Sequence, residues 1–202
     1  MRTLYGSARS RASRSLLALE ELGLDFAHRP LRQWESEADM ETISVVNPNR
    51  RVPVLDDDGL VVWESMAINL YLADRYGGPL WPDDPAARAR LYQWTIWSQT
   101  EIDQPTRHRA RLTGDADARA RAEAARLAAL AILDGALADR PFLLGDTFAL
   151  ADLNVAATLS EPWEGGRVDG DLDPREHGLE RLGAWLERCT SRASWARVRQ
   201  LP

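Results

Sequence analysis

Three short stretches of this chain combine residue types that could hold an anion and an extended peptide. Ser10 lies where the polar run from Ser7 to Ser13 gives way to an apolar-periodic segment. A hydroxyl at the start of a helix can donate a hydrogen bond to an anion held by the free amides there. Ser7 and Ser13 compete for that task, and capping the helix itself is the plainer use of all three. Val52-Pro53 lies in a strand-like run, Val52 to Leu55, where a proline removes a ladder donor and marks an edge or a break. A cis bond there would turn the amide and carbonyl of Val52 toward an added antiparallel strand, whereas a trans proline on a sheet edge needs no ligand. Glu64-Ser65 opens a further helical stretch, where unpaired amides and the helix dipole favour a carboxylate. Ser65 could equally cap that helix, while Glu64 beside it could receive an ammonium group.

The elements around these stretches alternate. Thr3 to Tyr5 forms a strand candidate ending at Gly6, and Leu16, Leu19 and Leu22 mark the apolar side of a helix. Glu20 and Glu21 are expected to face solvent, and Gly23 is placed as the terminating left-handed residue. Asp25 to Leu31 reads as a second strand with a parallel crossover, followed by a loop around Trp34 and a short helix from Glu37 to Ile43. Val52 to Leu55 and Leu60 to Val62 form a hairpin across an Asp-Gly turn, and a helix runs from Ser65 to Gly77-Gly78-Pro79. The order is β-α-β-α-β-β-α. Beyond a Pro- and Asp-rich linker carrying Trp81, the pattern is helical: Ala86 to about Arg111, Ala116 to Ala138, Leu150 to Leu159 and Leu179 to Thr190. A long loop spans Glu164 to Gly178. The expected division is residues 1–78, an α/β domain, a linker at 79–84, and an all-helical domain at 85–202.

Composition removes several function classes. A net charge of −6 repels a phosphate backbone, so no nucleic-acid partner is expected. All 25 basic residues are Arg, which leaves no Lys for Schiff-base chemistry. A single cysteine, Cys189, excludes an intrachain disulfide and a Cys-x-x-Cys pair, and fits a reducing cytoplasm. His28, His108 and His177 lack metal-ligand spacing, and no nucleophile elbow supports a Ser-His-Asp hydrolase. Met1 to Tyr5 run straight into a strand-like segment, so no signal peptide is expected, and no apolar run approaches the ~20 residues of a membrane span.

Ser10 with Arg14, then Asn47-Pro48 leading into Val52-Pro53, then Glu64-Ser65 with Ala67-Ile68, resemble in order and spacing the N-terminal half of cytosolic glutathione transferases. The resemblance continues through Phe148 to Leu153 and Leu182 to Cys189, so it spans nearly the whole chain. It implies a thioredoxin-like N-terminal domain followed by an all-helical C-terminal domain. It further implies a cis Pro53, with Val52 pairing to the cysteinyl backbone of glutathione, Glu64 and Ser65 holding the gamma-glutamyl end, and Arg51 near the glycyl carboxylate. Ser10 matches the hydroxyl that orients the thiolate in the serine-type, bacterial-like members. Glutathione is then a co-substrate rather than a cofactor, the second substrate is a small hydrophobic electrophile, the role is detoxification, and the assembly is a homodimer.

Two positions depart from the pattern. Arg50 stands where glycine is common, and Ala149 replaces the Ser or Thr that would cap a helix reciprocally with Asp152, a loss of roughly 1 kcal/mol. The opening loop has neither Cys nor an early catalytic Tyr, since Tyr5 reads as a strand residue. For the electrophile pocket, Trp97, Glu101, His108 and Trp163 are the candidates, with core packing or a solvated surface as their plainer uses. Two other readings remain beside conjugation: a non-catalytic binding module of the same fold, and a glutathione-dependent isomerase or dehalogenase.

Overall fold

A computed structural model describes residues 1–32, 36–104, 115–160 and 173–202. Trp34, His108 and Trp163 lie outside the described residues. Strand β1 (Arg2–Tyr5) pairs in parallel with β2 (Ala27–Arg29) and antiparallel with β3 (Val54–Asp57), which pairs antiparallel with β4 (Leu60–Trp63). The sheet order is β2-β1-β3-β4. Leu4, Val54 and Leu55 are fully buried, as residues of the two inner strands should be. Asp58 and Gly59 both take positive φ, 53° and 94°, in the tight turn that joins β3 to β4.

Helix α1 (Ala12–Glu21) buries Leu16, Leu17 and Leu19. Its end follows the expectation for Gly23, which takes φ +63° while the Leu24 amide donates to the Leu19 carbonyl at 3.0 Å. Helix α2 (Glu37–Val46) starts on Ser36, whose Oγ accepts from the Asp39 amide at 2.9 Å. Helix α3 (Ser65–Tyr76) stops at Gly77, φ +67°.

Chain contacts separate two compact units. The first takes Met1–Trp81 and, unexpectedly, Arg192–Pro202, which contains a further short helix after the last one anticipated. The second holds α4 (Pro85–Trp97), α5 (Ala116–Ala136), α6 (Leu150–Leu159), a 3-10 turn at Pro174–His177 and α7 (Glu180–Thr190). The added helix is α8 (Ala193–Val198), which packs along α1 and buries Trp195 and Val198.

Four local expectations change. Glu20 and Glu21 do not face solvent: Arg192 grips Glu21 through two bonds of 2.8 and 2.7 Å, Ser194 Oγ also donates to Glu21, and Arg197 Nε donates to Glu20 at 2.5 Å. The cause is the returning C-terminal segment, invisible to a local reading of α1. The strand expected from Val52 begins only at Val54, so Pro53 precedes an inner strand rather than lying on an edge. The helix expected unbroken from Ala86 widens into a π-helix at Ser98–Asp103. There Ser98 Oγ donates back to the Thr95 carbonyl at 2.8 Å, and Thr100 Oγ1 to that of Ile96 at 3.4 Å, the kind of back-bonding that loosens α-helical winding. Asp152 is better partnered than expected. It accepts from the Ala149 amide at 3.1 Å, the Leu143 amide at 2.8 Å and Trp185 Nε1 at 2.8 Å. Only the reciprocal side-chain cap that alanine cannot supply is missing.

Candidate functional site

The register of the sheet brings the three stretches together. Tyr5 pairs with Val54 and Val54 with Trp63, so the chain leaves β1, enters β3 and leaves β4 at one margin. Immediately beyond those residues lie Gly6 and the Ser7–Ser10 turn, Val52-Pro53, and Glu64-Ser65. Gly6, at φ +129°, is where two of them touch: a Cβ on it would come within 2.7 Å of Ala12 Cβ and 3.0 Å of Val52 Cβ. Only glycine allows this approach. Helix α3 is tied to α1 through Asn69 Nδ2, which donates to the Arg14 carbonyl at 3.2 Å, and Ser15 Oγ, which donates to the Ser65 carbonyl at 3.4 Å.

Ser7, Ser10 and Ser13 differ in access. Ser7 is fully buried and Ser13 nearly so, whereas Ser10 is half-buried. Ser10 Oγ accepts from the Ala12 amide at 3.2 Å and donates to the Ser7 carbonyl at 2.7 Å. In this arrangement it closes the turn before α1, and one rotation about χ1 frees its proton for an anion in front of the helix.

The bond between Val52 and Pro53 is cis. Neither the amide nor the carbonyl of Val52 has a partner among the described residues, although its side chain is buried. Main-chain groups this close to the core are nearly always paired, so they are available to an extended ligand. Arg51 beside them is exposed.

Of the two readings of Ser65, the one in which it caps α3 gives way. Ser65 is the first helical residue, Glu64 occupies the capping position, and no side chain caps the helix. The amides of Ser65, Met66 and Ala67 therefore lack a helical or capping partner. Glu64 is exposed and adopts φ 75°, ψ 117°, an unfavourable backbone for a side-chain-bearing residue that costs about 1–3 kcal/mol. Such strain points to function.

Two supporting residues had no catalytic signal in the sequence. Asn47, almost fully buried, accepts from the Asn49 amide at 2.9 Å and donates to the Arg51 carbonyl at 2.8 Å, fixing the loop that delivers Val52. His28 Nε2 lies 2.8 Å from the Gly6 carbonyl. Asn47-Pro48 belongs to the motif leading into Val52-Pro53, and the Asn-Pro-Asn sequence at 47–49 is a turn signal for the role that Asn47 plays; His28 offers none. Trp97 and Glu101 belong to the second unit. Trp97 is half-buried, its ring edge-on to Trp94 at 5.3 Å, and Glu101 is exposed on the π-helix.

This four-stranded mixed sheet, with Gly6, Val52-Pro53 and the uncapped start of α3 gathered at one margin, defines a thioredoxin-like unit. Comparisons with known proteins agree. Residues 9–75 match the glutathione S-transferase N-terminal domain and residues 116–188 the glutathione S-transferase C-terminal domain. The glutathione S-transferase GstB of Escherichia coli K12 is 32% identical over 216 residues, covering 100% of this chain and 99% of its own. Rat glutathione S-transferase theta-1 is 33% identical over 171 residues, 78% of this chain and 68% of its own. Among solved structures, a theta class glutathione S-transferase from Xanthomonas axonopodis pv. citri with glutathione bound superposes with a TM-score of 0.79 at 29% identity, covering 98% of this chain and 97% of that one. A glutathione transferase family member from Pseudomonas fluorescens shares the fold with a TM-score of 0.87 at 23% identity, covering 100% and 93%. The chain belongs to the glutathione S-transferase family.

Proposed function

We propose that the chain joins the thiolate of glutathione to a small hydrophobic electrophile in a reducing, cytoplasmic setting. The observation that carries this reading is the sheet margin itself. The unpartnered amide and carbonyl of Val52 suit the cysteinyl backbone, and the open amides at α3 with Ser65 suit the gamma-glutamyl carboxylate. Glu64 would receive the ammonium group and Arg51 the glycyl carboxylate. The half-buried hydroxyl of Ser10 would donate to the sulfur. Further support is that the Xanthomonas relative holds glutathione.

The chemistry sets what these groups must supply. A thiol of pKa ~8.5 is about 3% ionised at pH 7, and lowering it two units takes ~2.7 kcal/mol. Intrinsic nucleophilicity falls along with the pKa, so the net gain is only a few-fold. Most of the acceleration must come from holding thiolate and electrophile in reacting geometry. Trp97, Glu101, His108 and Trp163 remain the candidates for the electrophile's surroundings.

We also read the protein as a homodimer. Among the described residues, exposed apolar side chains gather on the edge strand β4, at Leu60, Val61 and Trp63, and on one face of α4, at Tyr92 and Ile96, while Met1, Val45 and Ile132 stand exposed elsewhere. A monomeric mass in sedimentation would remove that reading.

The deciding experiment is retention on immobilised glutathione, followed by thioether formation with 1-chloro-2,4-dinitrobenzene by wild type and Ser10→Ala. Retention with turnover, and a fall of roughly tenfold or more in kcat/KM for Ser10→Ala, is expected. No retention would favour a non-catalytic module of this fold, and unchanged turnover in the variant would take the thiolate contact away from Ser10.

A further inference from the structure

We infer that the C-terminal segment Arg192–Pro202 positions the Ser10 turn, through a hydrogen bond from the Ala8 amide to a main-chain oxygen of Pro202. The inference rests on the reading of Ser10 as the partner of the thiolate. Three consecutive amides tether the chain between β1 and α1: Gly6 donates to the Arg29 carbonyl at 2.8 Å, Ser7 to the Leu31 carbonyl at 3.0 Å, and Ala8 to Pro202 at 2.9 Å. The first two reach residues in and just after β2. The third reaches the far end of the chain and is the one nearest Ser10.

That end is held firmly enough to act as an anchor. The Leu201 amide donates to the Val198 carbonyl at 3.1 Å and the Gln200 amide to the Arg197 carbonyl at 3.1 Å, so residues 199–202 continue directly from α8. Helix α8 in turn is fixed to α1 by the buried Trp195 and Val198, by the two-bond contact of Arg192 with Glu21, and by the bond from Arg197 to Glu20. A two-bond guanidinium–carboxylate contact fixes orientation as well as distance. The same helix α1 whose first turn follows Ser10 is therefore gripped at its other end by the segment that reaches back to Ala8. Ala8 is itself buried, so its amide has little recourse to water if Pro202 is removed. The turn it belongs to carries the Ser10 hydroxyl on the Ser7 carbonyl. Loosening Ala8 moves the hydroxyl relative to the sulfur without touching Val52, Glu64 or Ser65. Arg192–Pro202 thus acts on thiolate stabilisation rather than on tripeptide affinity.

The test compares wild type with a chain ending at Leu201, with a chain ending at Gln200, and with Pro202→Ala. Pro202→Ala keeps the accepting oxygen and is expected to match wild type. The other two lose the bond. Their Ala8 amide should exchange hydrogen faster, kcat/KM with 1-chloro-2,4-dinitrobenzene should fall roughly three- to tenfold, and the apparent pKa of the pH–rate profile should rise by roughly half a unit to one unit. The KM for glutathione should stay within about twofold. Wild-type exchange at Ala8, or faster exchange with an unchanged pH–rate profile in both variants, would overturn the inference. A wild type that forms no thioether sinks the functional reading instead, and the two failures are therefore told apart.

Discussion

At the scale of single residues, two side chains show how the loop before Val52 is built. Arg50 takes φ 55°, so a left-handed residue stands where the family resemblance implies a glycine. A side chain there costs about 1–2 kcal/mol, partly offset because glycine is the more flexible residue when unfolded. Arg50→Gly should therefore stabilise the protein by about 0.5–1 kcal/mol in urea unfolding, and a loss of stability would show that the Arg50 side chain contributes something else. Asn47→Ala should do the reverse. It strips partners from the Asn49 amide and the Arg51 carbonyl, costs about 1–3 kcal/mol, and raises the KM for glutathione by loosening the approach to Val52. An unchanged KM would separate the loop from binding. The Arg50 position was legible only through the resemblance, which implies a glycine there. Asn47 stood in the motif that carries the family resemblance, but its role did not show there, since its bonds depend on how residues 47–51 fold back on themselves.

At the scale of elements, the sequence disclosed most where a pattern repeats within one helix or hairpin. The order of the first unit, the Asp-Gly turn and the Gly23 stop all follow local rules. It disclosed least where one element answers to another far away. Glu20 and Glu21 look like solvent residues until α8 and Arg192 just before it supply their arginines, and Asp152 looks half-partnered until Trp185, 33 residues on, donates to it. Asp152 carries a prediction for α6. Burial is the main influence on its carboxyl and, against its three N–H donors, pushes it up to about 6. Because the folded value lies above the unfolded one, the stabilisation is full in acid and declines as pH rises through about 6. The stability deficit of Asp152→Asn relative to wild type should thus be larger near pH 4 than at pH 7. A deficit that grows with pH would mean that the N–H donors outweigh burial.

At the scale of the whole chain, the first unit is not contiguous: it needs Met1–Trp81 and the returning Arg192–Pro202. A division at residue 78 followed by a purely helical remainder reads the chain only in one direction, because helical periodicity says which face of α8 is apolar but not that α1 receives it. The junction is electrostatic as well as apolar, and this gives it a pH signature opposite to that of Asp152. Burial works against a charge on Glu21, but the bonds from Arg192 and Ser194 and the charges of Arg192 and Arg197 outweigh it and hold the carboxyl below its ordinary value. A depressed folded value stabilises above the unfolded one and is lost as pH falls through the folded value. The deficit of Glu21→Gln should therefore be greatest near neutrality and shrink below about pH 4.3, where the unfolded carboxylate itself takes up protons. If the C-terminal segment also positions the Ser10 turn, faster exchange at the Ala8 amide should accompany that loss in the wild type as acid is added, after correction for the intrinsic pH dependence of exchange. Protection at Ala8 that survives while the Glu21 contribution disappears would show that α8 is held to α1 by Trp195 and Val198 alone, with the arginines ornamental to the docking.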